Sequence, residues 1–254
     1  MQLFTPVALP PAPFRLTPVS RMLTLGSCFA QHIGQHIAAA LPDGHALVNP
    51  FGPLYAPQVI SHHLRLLLDT APLPEATYFE GVEGMWHNRW FSTHVSSAEF
   101  ATCRRLTTDA LSAARDLLRR ADVLVLTLGT DRCYRLPDGR LVANCHKQPA
   151  ATFTEHAADV ETLTSDLRRA LDSLRALRPE LQVVWTVSPY RYAKYGLHAS
   201  QLAKARLLLA VDALCATDER SVYFPAYELL LDELRDYRYY ARDLLHPSDT
   251  AVEL

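Results

Sequence analysis

The sequence predicts an α/β fold in which a five-stranded, mainly parallel sheet lies between two layers of helices. Short runs of apolar, often β-branched residues alternate along the chain with longer segments of helical period. The runs are nearly continuous rather than alternating, which is typical of parallel strands covered on both faces. The predicted strands are residues 22–25, 46–49, 123–128, 182–187 and 222–224.

Helices are expected between these strands. The first carries Ile33 and Ile37 on one face. After the third strand, Pro137-Asp138-Gly139 is a turn signal between residues 134–136 and 140–143, and it predicts an inserted β-hairpin. The predicted helices are residues 30–40, 57–68, 108–120, 157–177 and 199–217, a shorter one after Ala226, and the beginning of another at residues 249–254.

Length and composition favour one domain. A chain of 254 residues can bury a sizeable core without disulfide or metal staples. Residues 1–20 are rich in proline and lack the basic flank and apolar core of a secretory signal, so we expect an irregular arm there. Residues 21–254 are predicted to form the single domain.

Charge and cysteine usage narrow the possible partners. The 25 basic and 27 acidic residues nearly balance, which argues against a nucleic-acid partner. No apolar run approaches the ~20 residues needed to cross a bilayer, so no membrane partner is expected. The 5 cysteines are odd in number and contain no Cys-x-x-Cys pair, which favours reduced thiols in the cytoplasm.

The first strand ends in Gly26-Ser27-Cys28, directly before a helix. A serine at this junction faces a helix N-terminus, whose unpaired N–H groups can stabilise negative charge on a reacting oxygen. Ser27 is therefore a candidate nucleophile. The alternative is that its hydroxyl only caps the helix.

A second signal lies near the end of the chain, where Asp243 and His246 are three residues apart and a proline follows. At this spacing the carboxylate can accept the imidazole N–H and fix its tautomer, leaving the other ring nitrogen free to take a proton from a hydroxyl. Each candidate group follows the carboxyl end of a predicted strand, so we expect them to share one edge of the sheet, where ligands of such folds bind.

These residues resemble the GSCFA family, whose signature is spelled by Gly26-Ser27-Cys28-Phe29-Ala30. That family belongs to the SGNH or GDSL-like hydrolases, which implies a flavodoxin-like, three-layer α/β/α fold. Six further blocks resemble the family in its order: Asn49-Pro50-Phe51-Gly52, Thr127-Leu128-Gly129-Thr130, residues 144–149, Thr186-Val187-Ser188-Pro189, residues 234–238, and Asp243-x-x-His246-Pro247.

The resemblance implies an oxyanion hole formed by the serine N–H, a glycine N–H after the second strand and an asparagine amide after the third. Gly52 matches the glycine, and a turn glycine is the alternative. The expected asparagine is missing from Gly129-Thr130-Asp131-Arg132. We expect Asn144, carried back by the hairpin, to replace it, the alternative being a structural hydrogen bond.

Two neighbouring residues have competing interpretations. Cys28 could be the nucleophile, because a helix N-terminus lowers a thiol pKa, but in the family pattern Ser27 aligns with the SGNH serine and Cys28 is expected to be buried. Arg191 follows the fourth strand and could bind an acyl or carboxylate group, or pair with an acidic residue.

The resulting hypothesis is a serine hydrolase. Ser27 would attack a small acyl ester, such as an O-acetyl group on a carbohydrate, with His246 as general base and Asp243 orienting it. This chemistry needs no metal and no organic cofactor. An acyltransferase with the same residues and a non-catalytic binding domain are the alternatives, and the oligomeric state is not predicted.

Overall fold

Five parallel strands form the central sheet of the computed structural model, which describes residues 5–254. The strands of this sheet are β1 (Met22–Gly26), β2 (Ala46–Val48), β5 (Val123–Leu128), β9 (Gln182–Val187) and β10 (Ser221–Tyr223). Their order in the sheet is β2-β1-β5-β9-β10, and every neighbouring pair is parallel. The α/β class and the five-stranded sheet are therefore confirmed.

Helices connect the strands as expected. The chain also contains a short π-helical turn, Leu229–Glu233, directly after α6. The helices are α1 (Cys28–Ala39), α2 (Pro57–Leu68), α3 (Phe100–Leu118), α4 (Val160–Leu177), α5 (Leu197–Cys215), α6 (Ala226–Glu228) and α7 (Asp249–Glu253).

The two faces of the sheet are covered differently. Leu23 and Leu124 belong to the large apolar core, which also includes fully buried leucines of α4 and α5. On the opposite face Thr24, Val125 and Val184 lie in register and line a cavity of about 410 Å³ against α1 and arm residues 9–16. The continuous apolar strands predict that helices cover both faces of the sheet. On this face α1 is the main helix, so part of the sheet surface is left to the cavity and the arm.

The inserted hairpin is present and belongs to a larger element. Strands β6 (Arg132–Arg135) and β7 (Leu141–Val142) pair antiparallel around the predicted turn. A third strand, β8 (Thr154–Ala157), pairs with the other side of β6. The helix predicted for residues 157–177 therefore begins later than expected, because Ala157 belongs to β8. Helix α4 begins at Val160 after Asp159, whose carboxylate accepts the Thr162 N–H.

A small antiparallel pair, β3 (Tyr78–Glu80) and β4 (Trp86–Asn88), was not predicted. Helix α3 begins at Phe100, eight residues before its predicted start. Residues 5–20 contain no helix or strand, and the first four residues of the predicted arm lie outside the described residues. The Val7 N–H donates to the Glu233 carboxylate at 2.7 Å. Among the described residues, no helix has the length and apolar character needed to span a membrane.

Candidate active site at the carboxyl edge of the sheet

Strand β1 ends in a turn that only glycine fits. Gly26 has φ +151°, and a Cβ there would lie 2.4 Å from the Thr127 carbonyl oxygen of β5. The ladder continues for one more residue, since the Ser27 N–H donates to the same Thr127 oxygen at 3.2 Å. Helix α1 then begins at Cys28.

Because the β1–β5 ladder extends to the Ser27 N–H, it fixes where the side chains of Ser27 and Cys28 lie. The Ser27 side chain is 1 % exposed, and its Oγ has no hydrogen-bond partner within residues 5–254. Cys28 is half-buried and lines the cavity at the carboxyl edge of the sheet. The expected placement, with the serine facing the site and the cysteine buried, is thus wrong. Ser27 also makes no capping hydrogen bond, so the N–H groups of Cys28, Phe29 and Ala30 remain without an intrahelical acceptor.

The cavity at this edge, called the rim cavity below, has a volume of about 470 Å³. Its walls come from residues that follow different strands, as predicted from the shared edge. It is lined by Cys28 after β1, Tyr55 and Val59 after β2, Thr130, Arg132, Tyr134, Asn144 and Cys145 after β5, Tyr190 and Tyr192 after β9, and His246 after β10.

Asp243 and His246 form the predicted pair. One carboxylate oxygen accepts the N–H groups of Leu245 and His246 at 2.9 and 3.0 Å, and the other contacts His246 Nδ1 at 2.5 Å. These hydrogen bonds, first that from the His246 N–H, lower the pKa of Asp243 to about 2. The ionised carboxylate holds the proton on Nδ1, which leaves Nε2 free to accept one. The imidazole also packs against Tyr190, with ring centroids 4.3 Å apart.

Arg191 lies outside the rim cavity and holds the loop that carries this pair. Its N–H donates to the Leu245 carbonyl at 3.0 Å and its guanidinium to the Leu244 carbonyl at 3.3 Å. The guanidinium also lies over the Tyr240 ring, 5.3 Å from the centroid. The structure therefore does not bring Arg191 to the candidate substrate, and neither proposed role fits its contacts.

Gly52 adopts the turn-glycine alternative. Its φ is +78°, and its N–H donates to the Asn49 carbonyl at 2.7 Å. A Cβ at this position would lie 2.0 Å from Ser92 Oγ. The N–H is engaged in the turn and Gly52 does not line the rim cavity, so the expected oxyanion donor is not available in this arrangement.

Asn49, three residues earlier, is a site residue that sequence reasoning missed. Its side-chain amide donates to the Gly26 and Ser27 carbonyls, both at 3.2 Å, while its own backbone has φ +43°. These two hydrogen bonds hold the turn between β1 and α1 in place. A signal was present, because Asn49 stands in one of the blocks quoted above and asparagine tolerates left-handed backbone.

Asn144 lines the rim cavity, as the hairpin argument predicts. Its side-chain oxygen accepts the His146 N–H at 2.8 Å, which is the structural alternative. Its NH₂ group has no partner among residues 5–254, and the oxyanion role stays a prediction. His146 fixes this loop, because its Nε2–H donates to the Asn88 carbonyl at 3.1 Å. Burial lowers the pKa of His146 to about 4, so the ring is neutral.

Lys204 of α5 is the second residue that was missed. It is 2 % exposed, and its ammonium donates to the carbonyls of Gly129 and Ser188 at 2.7 Å each. These carbonyls end β5 and β9, so the lysine ties two neighbouring strands together beneath the cavity. Burial lowers its pKa to about 7, opposed by the nearby Cys28 and Asp131. A lysine in an apolar helix gives no sequence signal of this role.

Comparisons with known proteins place the chain in a family. Two solved structures are similar over 92 % of this chain and 91 % of theirs at 9 % identity: a serine-to-alanine mutant of an acetyl esterase with an acetate ion (TM-score 0.43) and a carbohydrate esterase family 3 protein from Talaromyces cellulolyticus (TM-score 0.41). Among curated proteins none matches. The GSCFA family model matches residues 21–254, and the chain belongs to that family.

Proposed function

We propose that this protein hydrolyses esters of small acyl groups through a covalent acyl-enzyme, with the Asp243–His246 pair as the base. One observation carries the proposal: an imidazole whose Nδ1 is held by an ionised carboxylate lines the same cavity as the N-terminus of α1. Positioned bases of this kind, next to a nucleophile and oxyanion donors, characterise acyl-transfer sites.

The roles follow from the chemistry of each group. His246 Nε2 accepts the proton of the nucleophile in the β1–α1 turn and later delivers it to the leaving alcohol. Asp243 stays ionised at neutral pH, since its pKa is about 2, and stabilises the imidazolium that forms.

Charge on the tetrahedral oxyanion needs donors aimed at the cavity. The N–H groups of Ser27 and Gly52 are used by Thr127 and Asn49. We therefore assign the oxyanion to the N–H groups at the start of α1, which have no intrahelical acceptor, and to the Asn144 NH₂ group.

The cavity walls favour a polar alcohol component. Tyr55, Tyr134, Tyr190 and Tyr192 line it, and burial raises the pKa of Tyr55 and Tyr192 to about 12, so these phenols remain neutral donors at neutral pH. Flat apolar faces with polar tips suit a sugar ring. An O-acetylated carbohydrate is thus the substrate class that we propose.

Hydrolysis of p-nitrophenyl acetate and of an acetylated sugar tests this function. We expect His246→Gln to lower kcat by about 10²- to 10⁴-fold, because the proton acceptor is lost, and Asp243→Asn to lower it by a similar order because the imidazole loses its orientation and charge support. Acetate release is measured directly, so that transfer to another alcohol is not counted as hydrolysis.

His198→Gln is the matched control, since His198 is exposed on α5 and lies outside the rim cavity. It should retain the wild-type rate. Equal rates in His246→Gln and wild type, with both proteins folded, would contradict the proposed function.

A further inference from the structure

The rim cavity contains a thiol where the sequence led us to expect a hydroxyl. Cys28 and His246 line this cavity together, and they meet again in a small adjoining cavity with His32 and Tyr190. Ser27 lines neither, and its Oγ has less than 1 Å² of accessible surface. His246 and Cys28 therefore line the same two cavities.

The backbone explains why Ser27 cannot easily exchange places with Cys28. The Ser27 N–H is bonded to Thr127 and its carbonyl accepts from both Gln31 and the Asn49 amide. Gly26, before it, lies tightly against β5, because a Cβ there would be 2.4 Å from the Thr127 carbonyl oxygen. Turning the serine hydroxyl into the cavity would require breaking several of these contacts together.

We propose that Cys28, and not Ser27, is the nucleophile, so that the catalytic set is Cys28–His246–Asp243. This inference rests on the proposed function and names the atom that carries out its covalent step. Cysteine paired with histidine is an established type of acyl-transfer nucleophile, and its position at the start of α1 directs the unpaired N–H groups toward the reacting carbonyl.

The covalent steps balance without a further reactant. The Cys28 sulfur attacks the ester carbonyl carbon while its proton passes to His246 Nε2. The tetrahedral intermediate collapses to a thioester as the C–O bond to the alcohol breaks, and the alcohol oxygen takes the proton from His246. Water then attacks the thioester, gives one proton to His246, and releases the carboxylic acid as the sulfur leaves and is protonated again.

The charges around the thiol fit a mechanism that needs a base. Burial raises the pKa of Cys28, whereas the N–H groups of Phe29 and Cys28 and the Lys204 ammonium lower it, and Asp243 raises it. Cys28 in turn contributes to the raised pKa of Tyr55 and of Tyr190, so both phenols also lie near the thiol, as do His246 and His32 in the cavities that Cys28 lines. The net direction is upward, so the resting thiol keeps its proton and His246 must remove it.

Four variants separate the candidates: Cys28→Ala, Cys28→Ser, Ser27→Ala and Cys215→Ala. Cys215 is the matched control, because it is another half-buried thiol whose pKa burial raises, to about 11, and it lies outside the rim cavity. With p-nitrophenyl acetate we expect Cys28→Ala to lose on the order of 10³-fold or more in kcat, and Ser27→Ala and Cys215→Ala to stay within about tenfold of wild type.

Mass spectrometry of acid-quenched protein locates the acyl group. An acetyl adduct on Cys28 is expected in wild type, Ser27→Ala and Cys215→Ala, and hydroxylamine at neutral pH should remove it as it does other thioesters. In Cys28→Ser, any adduct should be an oxygen ester on residue 28 that resists this treatment. Urea unfolding of each variant checks that the fold is kept.

The failures can be told apart. If Cys28→Ala hydrolyses the ester at the wild-type rate while Ser27→Ala does not, the inference is wrong and the proposed hydrolase stands with a serine nucleophile. If wild type neither hydrolyses the ester nor acquires an adduct, or if His246→Gln leaves both unchanged, the proposed function fails and the inference fails with it.

Discussion

At the scale of single residues, the buried Lys204 affects both the stability of the fold and the surroundings of Cys28 in the rim cavity. Its ammonium lies within hydrogen-bond distance of two strand-end carbonyls, and Cys28 and Asp131 are the ionisable groups that act on it. The charged form loses hydration that two carbonyls replace only in part. A lysine held in this way can exchange its proton near neutral pH.

Lys204 should therefore make stability depend on pH. Its pKa is about 7 in the folded protein against 10.5 ordinarily, so between these values the unfolded chain binds a proton that the folded chain has released. Stability contributed by Lys204 must then rise with pH from about 7 to about 10. Urea unfolding should show the advantage of wild type over Lys204→Met growing by roughly 1 kcal/mol or more across this window.

The exposed Lys147→Met is the control, and its difference from wild type should be flat with pH. A wild-type advantage over Lys204→Met that shrinks as pH rises would refute the buried-lysine argument.

Some of the site residues could be predicted from the sequence and others could not. The Asp243–His246 pair was predictable, because the spacing alone brings the carboxylate to the ring and to the following N–H groups. Which of Ser27 and Cys28 faces the cavity was not. It depends on the β1–β5 ladder extending by one N–H, a long-range contact that the local pattern does not contain.

At the scale of elements, the loop between the π-helical turn and α7 positions the base, and Arg191 holds it through two carbonyls. Leu244 in this loop has φ +59°, an unfavourable conformation for a leucine, so external contacts must maintain it. Arg191 supplies two of them.

Arg191→Ala keeps the backbone bond to Leu245 but removes the guanidinium from the Leu244 carbonyl and the Tyr240 ring. It should therefore lower kcat for p-nitrophenyl acetate on the order of 10- to 100-fold with a smaller change in KM, because the position of His246 is disturbed and the substrate-binding walls are not. Arg235→Ala is the control, as Arg235 is exposed in the same region. A rise in KM alone would instead support the substrate-binding role first expected for Arg191.

Elements with strong patterns were predicted well, and weakly patterned ones were not. Strands β5 and β9 and helix α2 match their predicted bounds residue for residue. Strands β3, β4 and β8 have three or four residues each, and such segments are ordered by their partners rather than by their own period. The β6–β7 hairpin was predicted because Asp138-Gly139 encodes the turn itself, with Gly139 at φ +85°.

At the scale of the whole molecule, the uneven helical layers give the N-terminal arm a structural task. Leu9, Phe14 and Leu16 line the cavity over the sheet face that α1 leaves partly open, although Leu9 is 60 % exposed. The described part of the arm, residues 5–20, buries apolar strand surface on this face, and none of these residues lines the rim cavity. Its removal should thus affect stability and leave catalysis alone.

A variant lacking residues 1–16 should fold, bind more of the hydrophobic dye anilinonaphthalene sulfonate, and melt ~5 °C or more below wild type, since it exposes valines of the sheet. Its kcat for p-nitrophenyl acetate at 25 °C should remain near the wild-type value, because the side chains of the rim cavity are unchanged. A variant lacking only residues 1–6 keeps the Val7–Glu233 bond and the cavity residues Leu9, Phe14 and Leu16, so it is the reference for the longer truncation and should melt above it. Equal melting temperatures for the two truncations would show that the arm does not stabilise the sheet face, and a selective loss of kcat in the longer one would mean that the two cavities communicate through β1.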